Sequence, residues 1–282
     1  MEKIKLSVLI PAHNEEKRIE HTLNRIKDFV IKKNIKAEIF ILDDGSNDKT
    51  EEIVKKIEKD IDRDANYDLA KLSFEKRKVH FGKGDAVNRG MRLAQGEIIL
   101  FMDADSSTDI REIEKLLPYF DKGYDVVIGS RYTDKPLKPS MKFWPGFWKR
   151  VKSIFELIFT GKTKLSQAKK KQPWFRRFMA RGGNLLLYIV LGLDYNDTRC
   201  GFKAYSKKAA KRVYPLQRLD GFGFDDELLL ISQKMGFKII EVPVDWYDEE
   251  LGSKVSPLKD TFKSFRELAQ VRINSMKGKY KE

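Results

Sequence analysis

Ile39-Phe40-Ile41-Leu42-Asp43-Asp44-Gly45-Ser46-Asn47-Asp48-Lys49-Thr50 and, further on, Ile98-Ile99-Leu100-Phe101-Met102-Asp103-Ala104-Asp105 decide the fold class of this 282-residue chain. Each is an apolar run too short for an ordinary helix, and each stops abruptly in paired carboxylates. Such runs read as buried strands. In an open parallel sheet, ligands bind at the carboxyl ends of the strands. Two carboxylates separated by one residue at such an end point the same way, because side chains alternate along a strand. The pair Asp103 and Asp105 therefore suits a hard divalent cation, Mg²⁺ or Mn²⁺, that also holds a diphosphate.

Outward from these two runs, the chain alternates strand and helix patterns. Leu6 to Ile10 reads as a first strand stopped by Pro11, and residues 15–33 as a helix with Ile19, Leu23, Ile26 and Val30 at helical spacing. A helix is expected over 48–60, capped from Ser46 or Asn47. Residues 60–75 read as irregular, with a short strand near Lys78–His80. Helices follow at 85–94 and 109–121, with a strand from Tyr124 to Ile128 that runs into Gly129-Ser130-Arg131. After a break at 134–180, strands are expected at 201–205 and 238–242, and helices at 207–213, 225–235 and 257–276. In the last helix Leu258, Phe262, Phe265, Leu268 and Arg272 are read as one face. This rhythm predicts an α/β fold, a mainly parallel mixed sheet flanked by helices, as one domain over 1–282.

Composition narrows the function. A single cysteine, Cys200, excludes an internal disulfide, and a strand pattern beginning almost at Met1 is read as the absence of a signal peptide. The longest apolar stretch, Leu185 to Leu193, is too short to span a bilayer. The net charge is +14, and residues 135–180 hold 13 Lys/Arg against one acid, Glu156, so +12 of it lies there and about +2 elsewhere. That segment also carries Trp144, Phe147, Trp148, Phe155 and Trp174. Aromatic and basic residues on amphipathic helices suit an anionic membrane surface; a helical hairpin packed on the core is the plainer alternative. This insertion predicts a protein lying peripherally on the cytoplasmic face of a membrane; the chain ends in a further amphipathic basic helix at 257–282. The patch could equally mark a nucleic-acid binder, but carboxylate pairs at strand ends repel phosphates unless a metal intervenes, so no nucleic acid is expected. An aspartyl phosphatase motif around Asp103 would normally sit near the start of its domain. A non-catalytic scaffold would have no reason to keep these motifs. The three histidines, His13, His21 and His80, are scattered along the chain.

Taken together, Val8-Leu9-Ile10-Pro11-Ala12-His13-Asn14-Glu15, Leu42 to Thr50, Gly82-Lys83-Gly84 and Met102-Asp103-Ala104-Asp105 resemble an inverting family 2 glycosyltransferase of the GT-A fold. Asp197-Thr198-Arg199-Cys200-Gly201-Phe202-Lys203 and Gly252-Ser253-Lys254 are similar to the branch that moves a sugar onto dolichyl or another polyprenyl phosphate. The resemblance implies a nucleotide-sugar donor, UDP-glucose or, next, GDP-mannose, and Mg²⁺ or Mn²⁺ on Asp103 and Asp105. It places Pro11, Ala12, Asn14, Glu15, Asp43 and Asp44 around the nucleoside, with Asp44 as base acceptor or helix cap. Lys83, Asp103, Ser253 and Lys254 would lie at the diphosphate. Arg131, Arg199 and Lys203 would hold the acceptor phosphate by charge-assisted bonds, and Asp105, Asp225 and Arg131 would carry the chemistry. A phosphate monoester is already anionic near neutral pH, its second pKa being about 6, so it needs orienting more than deprotonating. A family 2 enzyme with a soluble or glycan acceptor is the nearer rival.

Overall fold

Alternation along the strands builds two cores. In β1 (Leu6–Ala12), Val8 and Ile10 face one side and Leu9 the other; in β2 (Ala37–Asp44), Ile39 and Ile41 oppose Phe40 and Leu42. Each fully buried Ile or Leu contributes roughly 2 kcal/mol, so both faces must be covered, and helices cover them. The computed structural model describes residues 4–63, 69–132, 174–247 and 257–281. The first face packs on α1 (Ile19–Lys32), α2 (Thr50–Arg63) and α4 (Ile113–Asp121). The second packs on α3 (Lys83–Leu93), α5 (Trp174–Leu191), α6 (Lys207–Val213), α7 (Phe224–Lys234) and α8 (Pro257–Met276).

The remaining strands are β3 (Ala70–Arg77), β4 (Ile98–Met102), β5 (Val126–Ser130), β6 (Phe202–Ser206) and β7 (Ile239–Pro243). They form one seven-stranded sheet in the order β3-β2-β1-β4-β6-β5-β7. All pairings are parallel except those of β6, which runs antiparallel to both β4 and β5. The expected mainly parallel mixed sheet flanked by helices is what the chain adopts. Among the described residues, no helix is long and apolar enough to cross a membrane.

Three local expectations are corrected. The third strand is Ala70–Arg77, not a short piece at 78–80: it lies at the sheet edge, so only Ala70 and Leu72 are buried and its other face is polar. The start of α2 takes its oxygen from Asp48, which accepts from Thr50 N at 3.0 Å, while Ser46 bonds Asp43 and Asn14 instead. In α8, Leu268 and Val271 point inward, whereas Phe265 and Arg272 are exposed.

One buried acid fixes the chain that enters β6. Glu241 of β7 is 1% exposed, and it accepts from Asn196 N and Asp197 N, both at 2.8 Å, and from Asn196 Nδ2 at 3.1 Å. Removing its carboxylate strands two backbone donors. Glu241→Ala is expected to lower the unfolding free energy by about 3 kcal/mol in urea titration; a loss below about 1 kcal/mol would mean that the loop holds itself.

Candidate active site

The sheet reverses its winding between β1 and β4, and the ends that meet there are the carboxyl ends of β1, β2, β4 and β5. Because β6 is antiparallel, its amino end arrives at the same edge and delivers Arg199 to Lys203 beside Asp103. Asp103 N donates to Gly201 O at 3.1 Å. A Cβ at Gly201 would lie 1.9 Å from an Asp103 carboxylate oxygen, so only glycine lets the two segments approach. This edge collects the expected residues of β1, β2, β4, β5, β6 and α7. Ser253 and Lys254 lie outside the described residues, as do Trp144, Phe147, Trp148 and Phe155; Trp174 begins α5.

At the β1–β2 end, side chains stitch the turns to each other. Pro11 and Ala12 close β1. Asn14 adopts a left-handed backbone (φ 56°), which asparagine tolerates. Its N–H donates to Ser46 Oγ at 2.9 Å, and its Oδ1 accepts from Asn47 N at 2.8 Å. The Glu15 carboxylate turns to Arg18 Nε at 2.7 Å. Asp43 is fully buried and accepts from both Ser46 N and Ser46 Oγ. Asp44 accepts from Phe81 N at 2.8 Å and Gly82 N at 2.7 Å, and His80 Nδ1 lies 2.8 Å from its Oδ2. Asp44 thus anchors the loop that carries Lys83. Gly82 takes φ 128° and would clash with the Asp220 carbonyl if it bore a Cβ. The histidines are not all scattered in space. His13 and His80 stack with ring centroids 4.4 Å apart, a pairing that no sequence spacing announced.

The β4–β6 half is a field of cation–carboxylate pairs. Lys83 Nζ sits 2.5 Å from Asp103 Oδ1, and Arg131 forks onto Asp197 through Nε and Nη2, both at 2.8 Å. Arg199 holds Asp226 Oδ2 through Nη2 at 3.0 Å and reaches Ser264 Oγ at 3.0 Å. Lys203 is fully buried; its ammonium donates to Asp225 Oδ1 at 2.5 Å and to Cys200 O at 2.6 Å. The resemblance places Lys203 at the acceptor phosphate, but in the fold its ammonium is taken up by Asp225 and the Cys200 carbonyl. Asp226 Oδ1 is buried with no donor among the described residues.

These groups act on each other electrically. Burial works against the Lys83 ammonium, but Asp103, Asp225 and Asp105 outweigh it and hold its pKa above the ordinary value. Burial pushes the Asp225 carboxyl up, against the pull of Lys203 and Lys83. Burial likewise lifts the Cys200 thiol to about 12, leaving it inert as a nucleophile. Around Asp103 the acids are Asp103, Asp105, Asp197, Asp225 and Asp226; the cations are Lys83, Arg131, Arg199 and Lys203. Among the described residues, five against four leaves this group of side chains one formal negative charge, a poor surface for a diphosphate on its own.

Asp103 and Asp105 fit a divalent cation. Asp103 keeps 42% of its side chain exposed, and Asp105 is partly exposed. The buried Ala104 between them bonds α1 through its carbonyl and Thr22 Oγ1, 2.7 Å. Ser106, at φ 52°, donates to the same threonine at 2.8 Å. Asp105 accepts from Ser107 N at 2.9 Å, which fixes its carboxylate. Among the described residues, no group of three or more His, Cys, Asp or Glu side chains is arranged to hold a metal. Two hard oxygen donors suit an ion such as Mg²⁺ or Mn²⁺ that takes its other ligands from phosphate and water.

Comparison with known proteins agrees with this geometry. The family model described as glycosyl transferase family 2 matches residues 7–213. A dolichyl-phosphate beta-glucosyltransferase of Saccharomyces cerevisiae is 30% identical over 288 residues, covering 100% of this chain and 78% of that protein. One of Dictyostelium discoideum is 28% identical, again over 100% of this chain and 78% of the relative. Among solved structures, glucosyl-3-phosphoglycerate synthase from Mycobacterium tuberculosis, in complex with Mn²⁺, uridine diphosphate and glucosyl-3-phosphoglycerate, superposes with a TM-score of 0.57 at 20% identity. The match covers 96% of this chain and 79% of that one, and it shows the shared GT-A fold. The chain belongs to glycosyl transferase family 2.

Proposed function

We propose that this enzyme transfers glucose from UDP-glucose, with inversion, to the phosphate of dolichyl or another polyprenyl phosphate at a membrane surface. The observation that carries the reading is the carboxylate of Asp103, 42% exposed and paired to Lys83, with Asp105 two residues on, in a set of described side chains that holds one more acid than cation. The relatives named as dolichyl-phosphate glucosyltransferases support the acceptor and the sugar. The uridine diphosphate and Mn²⁺ in the solved neighbour support the donor and the ion.

In this reading an acceptor phosphate oxygen attacks the anomeric carbon as the bond from that carbon to the diphosphate oxygen breaks. UDP leaves with the electron pair. A divalent ion held by Asp103 and Asp105 supplies Lewis-acid stabilisation of the leaving diphosphate. Lys83 brings a further positive charge within reach of the same space. Pro11, Ala12, Asn14, Glu15, Asp43 and Asp44 shape the nucleoside end. Arg131 and Arg199 face the acceptor phosphate while their carboxylates fix where each guanidinium points. A dianionic phosphate has no proton to lose, so Asp225 orients the sugar or takes the residual proton of a monoanionic acceptor. Lys203 is its positioning residue.

Two outcomes follow. Asp105→Ala is expected to cut radiolabel transfer from UDP-glucose to polyprenyl phosphate by roughly 1000-fold, about 4 kcal/mol of transition-state stabilisation; wild-type turnover in that variant would overturn the site. Lys203 pulls the Asp225 pKa down against burial, so removing the cation lets Asp225 take up its proton at a higher pH. Lys203→Met is expected to move the acid limb of the kcat–pH profile upward by about one unit or more, with Lys203→Arg restoring it. A uniform loss at every pH, with no displacement of the limb, would reduce Lys203 to a packing role.

A further inference from the structure

The two sides of α8 differ sharply. Its inner side is built into the site: Ser264 Oγ accepts from Arg199, Glu267 accepts from Gly223 N at 2.8 Å, and Leu268 and Val271 are buried in the core. Its outer side carries Phe265, Ala269, Ile273 and Met276, which helical geometry places within one arc. Phe265 is 53% exposed, Ile273 44% and Met276 74%. The stripe from residue 265 to 276 is roughly 16 Å long.

Charge identifies what such a stripe can rest on. Residues 263–281 hold six cations, Lys263, Arg266, Arg272, Lys277, Lys279 and Lys281, against one acid, Glu267, a net of +5. That one acid is turned inward to Gly223. An apolar stripe bordered only by cations matches an anionic lipid surface, which takes apolar side chains below its headgroups and cations among them.

We propose that the outer face of α8 docks on an anionic bilayer and holds the Arg199–Asp226 end of the site at the level of a lipid-borne phosphate. This rests on the reading of the acceptor as a polyprenyl phosphate. It goes beyond that reading by assigning a lipid-contacting face to a helix outside the basic segment at 135–180.

The test uses the full chain and phosphatidylcholine vesicles with and without phosphatidylglycerol. Wild-type protein is expected to sediment with the anionic vesicles, less so as salt rises. The exposed double variant Phe265→Ser/Met276→Ser, with an unchanged melting temperature, is expected to partition at least about tenfold less. Its transfer to vesicle-borne acceptor should fall in parallel, while transfer to a short polyprenyl phosphate dispersed in detergent stays within about twofold of wild type. Equal sedimentation of variant and wild type would overturn the proposal. So would a wild type that binds no vesicles, including one that instead forms a dimer which the double variant abolishes. A wild type that sediments but transfers nothing to detergent-dispersed acceptor would remove the acceptor reading, separately from the docking face.

Discussion

Lys83 on Asp103 and Lys203 on Asp225 are the pairs around which this molecule is organised. Both ammoniums lie close to the ring of Phe101, at 5.5 and 5.0 Å from its centroid. Phe101 is the residue of β4 that pairs with Lys203 across the antiparallel ladder. Breaking a buried ion pair by removing one partner leaves an uncompensated charge, which costs far more than the pair contributes intact. Lys203 and Asp225, both buried, therefore require each other, while Asp103 keeps part of its carboxylate in solvent.

The antiparallel β6 turns this constraint into a site. Had the strand run parallel, residues 199–203 would have emerged at the opposite edge. Glu241 holds the preceding loop by its backbone N–H groups, Asp197 in turn orients Arg131, and Gly201 makes room for the Asp103 carboxylate. Asp43 and Asp44 play the corresponding part at the β1–β2 end, where their oxygens are taken up by Ser46 and by the loop 80–82. Asp44 is thus a structural anchor for the segment that carries Lys83, and Asp43 for the turn after β2.

Much of this was legible in the sequence, and the gaps have physical reasons. The strands of the sheet interior announced themselves by apolar runs cut off at Asp, Pro or Gly. The edge strand Ala70–Arg77 did not, because half of its residues face water and its composition matches that of a loop. The acids and cations of the site were recognisable singly, but their pairing was not. The partners stand 20, 22, 27 and 66 residues apart, and only the crossing order of the strands joins them. The direction of β6 and the His13–His80 stack are likewise products of topology. Periodicity places α8 correctly from 257 to 276 but puts Phe265, Leu268 and Arg272 on one face, whereas packing buries Leu268 and leaves Phe265 and Arg272 exposed.

An edge rich in carboxylates, Asp103 and Asp105 foremost, is expected to receive a nucleoside diphosphate only together with a divalent cation. Calorimetric titration of UDP into the purified protein, with Mn²⁺ and with excess chelator, measures this directly. The account expects affinity to fall by about 100-fold or more when the ion is withheld, close to 3 kcal/mol. Equal affinity in both conditions would contradict it.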